Sequence, residues 1–154
     1  MQTRKTAIKI LFLSACILLV AACGKKNLNR ELVKAAMQGD AQTIRQCLES
    51  GADVNARDEK YNATALMWAA HNGHVEALNT LLESGADVHQ KGNKGETALW
   101  FAAQKGQLQT LKILARRGAD TDVSGRDGYT PIAIAEKNGH SDIVDYLRSA
   151  GAVR

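Results

Sequence analysis

The stretch TALMWAAHNGHVEALNTLLESGADV, residues 64–88, decides the fold. Leu66, Ala69 and Ala70 fall on one side of a short helix that starts at Thr64, whose hydroxyl suits a helix N-terminus. Gly73 ends that helix, as a glycine does where positive φ is needed. Val75, Leu78, Leu81 and Leu82 then recur at i, i+3, i+6 and i+7, the apolar stripe of a longer helix, and Gly85 stops it. Neither helix can bury its apolar side alone, so the pair requires neighbours of its own kind.

Those neighbours are present. Gly51-Ala52-Asp53-Val54, Gly85-Ala86-Asp87-Val88, Gly118-Ala119-Asp120-Thr121 and Gly151-Ala152-Val153 recur at spacings of 34, 33 and 33 residues. Gly39-Asp40, Gly73-His74, Gly106-Gln107 and Gly139-His140 keep the same step, and so do Thr64-Ala65-Leu66, Thr97-Ala98-Leu99 and Thr130-Pro131-Ile132. The long-helix stripe returns as Leu108, Leu111 and Leu114, and as Ile143, Val144 and Leu147. Cys47 aligns with Leu81, Leu114 and Leu147, which marks it as a buried apolar thiol and not a nucleophile.

From about Leu28 to the C-terminus the chain resembles the ankyrin repeat, and the resemblance implies an all-α repeat solenoid. It would have four turn-plus-two-helix units at about 28–58, 59–91, 92–124 and 125–154, making 28–154 the folded domain. Thr130-Pro131-Ile132 is closest to the family's Thr-Pro-Leu-His-x-Ala signature. The signature's histidine is Met67, Trp100 or Ala133 here, and its proline is Ala65 or Ala98 in two units. Met67 and Trp100 are expected to replace the histidine's hydrogen bonds by packing. The first unit lacks the signature and the last stops at Val153-Arg154, as terminal caps would. Between Gly51 and Thr64 stands one residue more than between the equivalents, with no glycine matching Gly95 and Gly128, so the loop Arg57 to Ala63 should be bulky with Tyr61 near its tip.

Residues 1–22 read as a lipoprotein-type signal peptide. Arg4, Lys5 and Lys9 precede an uncharged apolar run, Ile10 to Val20, and the small exit Ala21-Ala22 leads to Cys23. The run is eleven residues long, too short for the roughly 20 that span a bilayer. Leu19-Val20-Ala21-Ala22-Cys23 resembles the lipobox of bacterial lipoproteins, which implies a lipid on Cys23, cleavage just before it, and a short tether over 23–27. Fully extended, the residues between Cys23 and Leu28 reach at most about 14–18 Å. Leu13-Ser14-Ala15-Cys16 also fits the pattern, but leaves only Ile10 to Leu13 as apolar signal, less than the usual run of about 7–15 residues. The other reading is an ordinary secretory peptide with Cys23 unmodified. A periplasm-facing, lipid-anchored envelope protein is expected, and Gly24, which is not an aspartate, implies the outer membrane by resemblance to lipoprotein sorting. Lys25, Lys26 and Arg30 would then face anionic headgroups, each contributing about 1 kcal/mol.

The formal charge of +4 belongs mostly to that leader: without Arg4, Lys5 and Lys9 the 20 basic residues fall to 17 against 16 acidic ones, a net +1. This argues against nucleic acid as a partner, and Trp68, Trp100 and Phe101 are read as core packing rather than a base-stacking platform. Asp120-x-Asp122-x-Ser124-Gly125 starts like a calcium loop, but Pro131 stands where the bidentate glutamate is needed. His71 and His74 lack two further zinc ligands. No phosphate loop or nucleophile–base arrangement stands outside the repeat pattern, so neither cofactor, metal nor catalysis is expected. The chain reads as a monomeric protein-binding module.

The ankyrin resemblance implies docking on the concave face of hairpin tips and first helices. Carried over position by position, that face is Lys60, Tyr61 and Ala63; Lys91, Asn93, Lys94 and Glu96; Arg126, Asp127 and Tyr129. The helices add Met37 and Gln38, His71 and Asn72, Gln104 and Lys105, and Lys137 and Asn138. Six are Lys or Arg and two acidic, which favours an acidic partner with Tyr61, Tyr129 and Met37 as apolar anchors. An inhibitor or immunity lipoprotein against an envelope-directed toxic effector, or a scaffold for a resident periplasmic protein, are the expected roles.

Cys23→Ser is expected to abolish incorporation of labelled fatty acid and release the protein from membranes or leave it unprocessed, whereas Cys16→Ser should change neither. Loss of acylation in the Cys16 variant alone would move the cleavage site.

Overall fold

The computed structural model describes residues 24–151. The expected leader 1–22, Cys23, and Ala152, Val153 and Arg154 lie outside the described residues. The described part holds eight α-helices in four pairs: α1 (Lys25–Gln38) with α2 (Ala41–Glu49), α3 (Ala65–Asn72) with α4 (Val75–Glu83), α5 (Ala98–Lys105) with α6 (Leu108–Arg116), and α7 (Pro131–Asn138) with α8 (Ser141–Ser149). A single 3₁₀ turn, Arg126–Gly128, shapes the last hairpin. None of the described helices is long and apolar enough to cross a membrane. Because α1 begins at Lys25, it takes in residues 25–27, which the sequence reading placed in an extended tether.

Each short helix begins where a threonine hydroxyl accepts an otherwise unpaired backbone N–H. Thr64, Thr97 and Thr130 accept from Met67, Trp100 and Ala133 at 3.3, 3.2 and 3.3 Å. Met67 also returns a bond, its sulfur accepting the Thr64 N–H at 3.4 Å. At α2 the Asp40 carboxylate accepts from the Thr43 hydroxyl at 2.6 Å and the Thr43 N–H at 3.0 Å. These bonds hold the Asp40 carboxyl below its usual value.

The first helices stack side by side in the order α1, α3, α5, α7, and each second helix packs on its own partner. Alanines make the close approach possible: Ala35 and Ala36, Ala69 and Ala70, Ala102 and Ala103, and Ala135 are all buried. Leu78, Leu81, Leu111, Leu114, Ile143 and Leu147 fill the layer between first and second helices, and Cys47 is buried at the matching place. Val75 and Leu108 are only half covered, because each opens its helix at the edge of that layer.

Gly39, Gly73 and Gly106 end the first helices at φ of 78°, 74° and 74°. Each also lies under a side chain of the next unit, so that an added Cβ would stand 2.7 Å from His74, 2.3 Å from Gln107 and 2.9 Å from His140. The histidines use the same place to bond backward: His74 Nε2 meets the Met37 carbonyl at 3.0 Å and His140 Nε2 meets the Gln104 carbonyl at 3.1 Å.

Gly39→Ala should therefore cost about 2–3 kcal/mol, combining left-handed strain with loss of the His74 bond. Gly51→Ala, also at positive φ but with nothing within 4 Å of an added Cβ, should cost only about 1–2 kcal/mol from strain. Equal losses in urea unfolding would mean that the inter-unit contact at Gly39 adds nothing.

Candidate protein-binding cleft

The hairpins between units are tied one to the next by polar side chains. The Asn55 side-chain oxygen accepts the N–H of Asp87, one unit ahead, at 3.0 Å, and the Asn29 side-chain oxygen on α1 accepts the N–H of Asp53 at 2.9 Å. Arg57 donates to its own loop at the Asn62 carbonyl (2.7 Å), to the next loop at the Lys91 carbonyl (2.8 Å), and to the Gln90 side chain. Glu96 accepts from Arg126 Nε at 3.1 Å and from the Lys94 N–H at 2.9 Å, and Arg126 Nη2 stands 3.1 Å from the same carboxylate oxygen as its ion-pair partner. Trp100 is buried, and its indole N–H donates to the Tyr129 carbonyl at 2.8 Å. The lost signature histidine is thus replaced at this position by a hydrogen bond to the following hairpin as well as by packing. Gly125 lets the ring in, since a Cβ there would lie 2.9 Å from it.

In the Arg57–Ala63 loop, Asn62 adopts φ of 54° in the place of Gly95 and Gly128. Asparagine tolerates this region better than other side-chain-bearing residues. The loop lifts Tyr61 to its tip, where it is 45% exposed, the large apolar side chain most open to solvent among the described residues.

Between these hairpins and the outward sides of α3 and α5 runs a cleft of about 610 Å³. Its walls are aromatic. Tyr61 meets Trp68 edge-on at 5.8 Å between ring centroids, Trp68 meets His71 at 5.5 Å, and His71 meets Phe101 at 5.8 Å. The Trp68 N–H is already spent on Asp58 at 2.7 Å, and His71 Nδ1 lies 2.8 Å from the Asn72 side-chain oxygen. Lys60, Lys94, Lys105 and Arg126 stand around the cleft, with Glu96 as its acidic lining residue. Lys60 lies 4.9 Å from the Tyr61 ring centroid, and hydrogen bonding to Tyr61 raises its proton affinity above the usual lysine value, so it remains a cation.

Of the expected contact residues, the cleft brings together Lys60, Tyr61, His71, Asn93, Lys94, Gln104 and Lys105 with Arg126. Glu96 lines it too, but is 2% exposed and its carboxylate is engaged inside the chain, where it ties the hairpins together. Asn72 and Asn138 spend their amides on the Met37 and Gln104 carbonyls of the preceding unit, at 2.9 and 2.8 Å. Tyr129 and Lys137 form a separate pair on the last unit, the ammonium 4.4 Å from the ring centroid. Lys91 and Asp127 are exposed outside the cleft lining, as is Gln38, while Met37 packs against the core and Ala63 is a buried wall. Of the three aromatic residues read as core packing, Trp100 is fully buried, while Trp68 and Phe101 are half-buried, packing against the core with one side and lining the cleft with the other. The spacing held the signal, since Trp68 and His71, like Phe101 and Gln104, are i, i+3 pairs off the Leu66–Ala69–Ala70 side. Among the described residues no three of His, Cys, Asp and Glu cluster as metal ligands.

Arg126→Met should destabilise the fold by about 1–3 kcal/mol, because the buried Glu96 loses charged hydrogen bonds. Arg148→Met, which breaks a solvent-exposed pair with Glu136, should cost less than about 1 kcal/mol. Chemical unfolding of both variants checks the difference, and equal losses would deny Glu96 its tie to the fourth hairpin.

The family profile described as ankyrin repeats (three copies) matches residues 6–92 and 84–153. The first match reaches back into the expected leader. No curated protein matches the chain. With four stacked helix pairs and that match over most of its length, the chain belongs to the ankyrin-repeat family, whose units form protein–protein interaction modules.

Proposed function

We propose that this chain is a non-catalytic, monomeric binding module that holds an acidic partner protein in the cleft of its second and third units, while lipid on Cys23 tethers it to a bacterial envelope membrane, facing the periplasm. The observation that carries the reading is the crowding of Lys60, Lys94, Lys105 and Arg126 around one aromatic-walled cleft. Its acidic lining residue, Glu96, is buried and engaged with Arg126. Residues 23–154, the cleft included, carry a net charge of only +1, so this local excess is a feature of the site. Such a field steers an oppositely charged partner and fixes its orientation more than it adds raw affinity.

The envelope placement rests on the leader pattern and on the lipobox-like Leu19 to Cys23, and outer-membrane placement on Gly24. Two acyl chains or more would make the tether effectively permanent. With α1 starting at Lys25, the first unit would sit against the headgroups. A permanently tethered clamp suits an inhibitor or immunity lipoprotein that blocks a toxic enzyme reaching the envelope. The second reading is a scaffold or protector of a resident periplasmic protein, favoured if the partner is such a protein and binds with moderate affinity.

Affinity capture from an envelope extract identifies the partner, and binding kinetics then test the site. Reversing Lys60, Lys94 and Lys105 to glutamate should slow association at least about tenfold at low salt, and the difference should shrink as ionic strength rises and the screening length falls to about 8 Å. Unchanged association and unchanged salt dependence would remove the cleft from the binding surface.

A further inference from the structure

The cleft has features that look contradictory for a ligand. Aromatic walls, Trp68 and Phe101 among them, suit a cation, which is attracted to ring faces. The surrounding charges oppose it. Lys60, Lys94, Lys105 and Arg126 are set against Glu96, whose carboxylate is already held by Arg126 and the Lys94 N–H. A cationic side chain would enter against a clear positive excess. An anion alone would satisfy the rim but leave the ring surfaces wet, because the Trp68 N–H, the wall's own polar handle, is spent on Asp58.

A ligand that meets both demands carries an apolar, flat side chain with carboxylates on either side. Length is set by the repeat. Lys60 belongs to the second unit and Arg126 to the hairpin of the fourth, two inter-unit steps apart; at about 8–10 Å per step this is about 20 Å. An extended peptide covers that distance in about six residues at about 3.3 Å each. From the charge of the rim, the chemistry of the walls and this span, we infer that the cleft receives an extended acidic segment of about six residues, with one aromatic side chain seated against the row of Trp68, His71 and Phe101 rings and flanking carboxylates at Lys60, Lys94, Lys105 and Arg126. This rests on the acidic-partner reading above and adds the form of the recognised element.

The test uses the full chain, purified in non-ionic detergent, and fluorescently labelled, end-blocked hexapeptides followed by anisotropy. The probe is Glu-Asp-Phe-Glu-Asp-Glu. One comparison peptide replaces Phe with Ala, and another replaces every acidic residue with Lys. The expected result is at least tenfold tighter binding of the Phe peptide than of the Ala peptide, with no binding of the Lys peptide. Phe101→Ala and, independently, the exposed Lys94→Glu/Lys105→Glu pair should each weaken the Phe peptide at least tenfold, while Lys137→Glu, on the last unit, should not. The surface pair keeps the test open if Phe101→Ala fails to fold. Equal binding of the Phe and Ala peptides, or tighter binding of the Lys peptide, would overturn the inference. If the peptides fail in this way but the captured partner still loses binding when Lys60, Lys94 and Lys105 are reversed, the acidic-partner reading stands and the aromatic anchor falls; if the partner ignores the reversal as well, both fall.

Discussion

Everything in this solenoid depends on the closure of each first helix against the unit that follows. Gly39, Gly73 and Gly106 turn the chain with left-handed backbone and leave no Cβ where His74, Gln107 and His140 settle. A residue in one unit can occupy that space only if the next unit is in one register, so a local turn requirement also sets a long-range distance. Once that register is set, the alanine faces of α1, α3, α5 and α7 meet, and the leucines of the second helices are covered. Stability of this kind is shared between nearest neighbours, and no unit holds it alone.

The same stacking builds the cleft. Hairpins have few apolar groups with which to hold a shape, so they are joined by polar atoms aimed forward by one unit. Arg57 reaches the third hairpin, Glu96 and Trp100 the fourth. The departures from the family signature are concentrated here. Trp100 carries a donor that bridges to Tyr129, and Met67 closes the Thr64 cap through sulfur. Glu96 is the clearest case of a residue whose charge is structural: it is buried, and the charge it appears to subtract from the cleft is already neutralised by Arg126. The pair cancels one charge of each sign, so the unpaired cations of the cleft lining are Lys60, Lys94 and Lys105.

Aromatic walls already packed edge to edge would lose little freedom if a partner bound there, which would lower the entropic cost that usually limits affinity. On the proposed reading the cations would act mainly before contact, by steering, and the rings after it, by excluding water. Tyr61 stands at the open edge of the cleft, beside Lys60 and at the tip of the one hairpin that carries an extra residue.

The sequence by itself determined the period, the helix pairs and the core. Threonine caps, helix-ending glycines and leucine stripes are local codes, and each specifies its backbone within a few residues. Cys47 could be assigned to the core from alignment with three leucines. The bulky second hairpin and the position of Tyr61 were legible for the same reason, as a count of residues between fixed markers; the use of Asn62 in glycine's place was not anticipated, because φ is not written in residue type except for glycine. Only the tertiary structure decided which side chains spend their polar atoms inside the chain. Glu96, Asn72 and Asn138 look like contact residues along the sequence, yet their partners lie about 30 residues or more away and become neighbours by stacking. Trp68 and Phe101 look like core and do pack against it, yet they also face the cleft, because a short helix between two neighbours has one more side than a two-sided apolar pattern reveals. Burial and charge pairing at this surface are properties of adjacent units together, and that is why no single unit's sequence could state them.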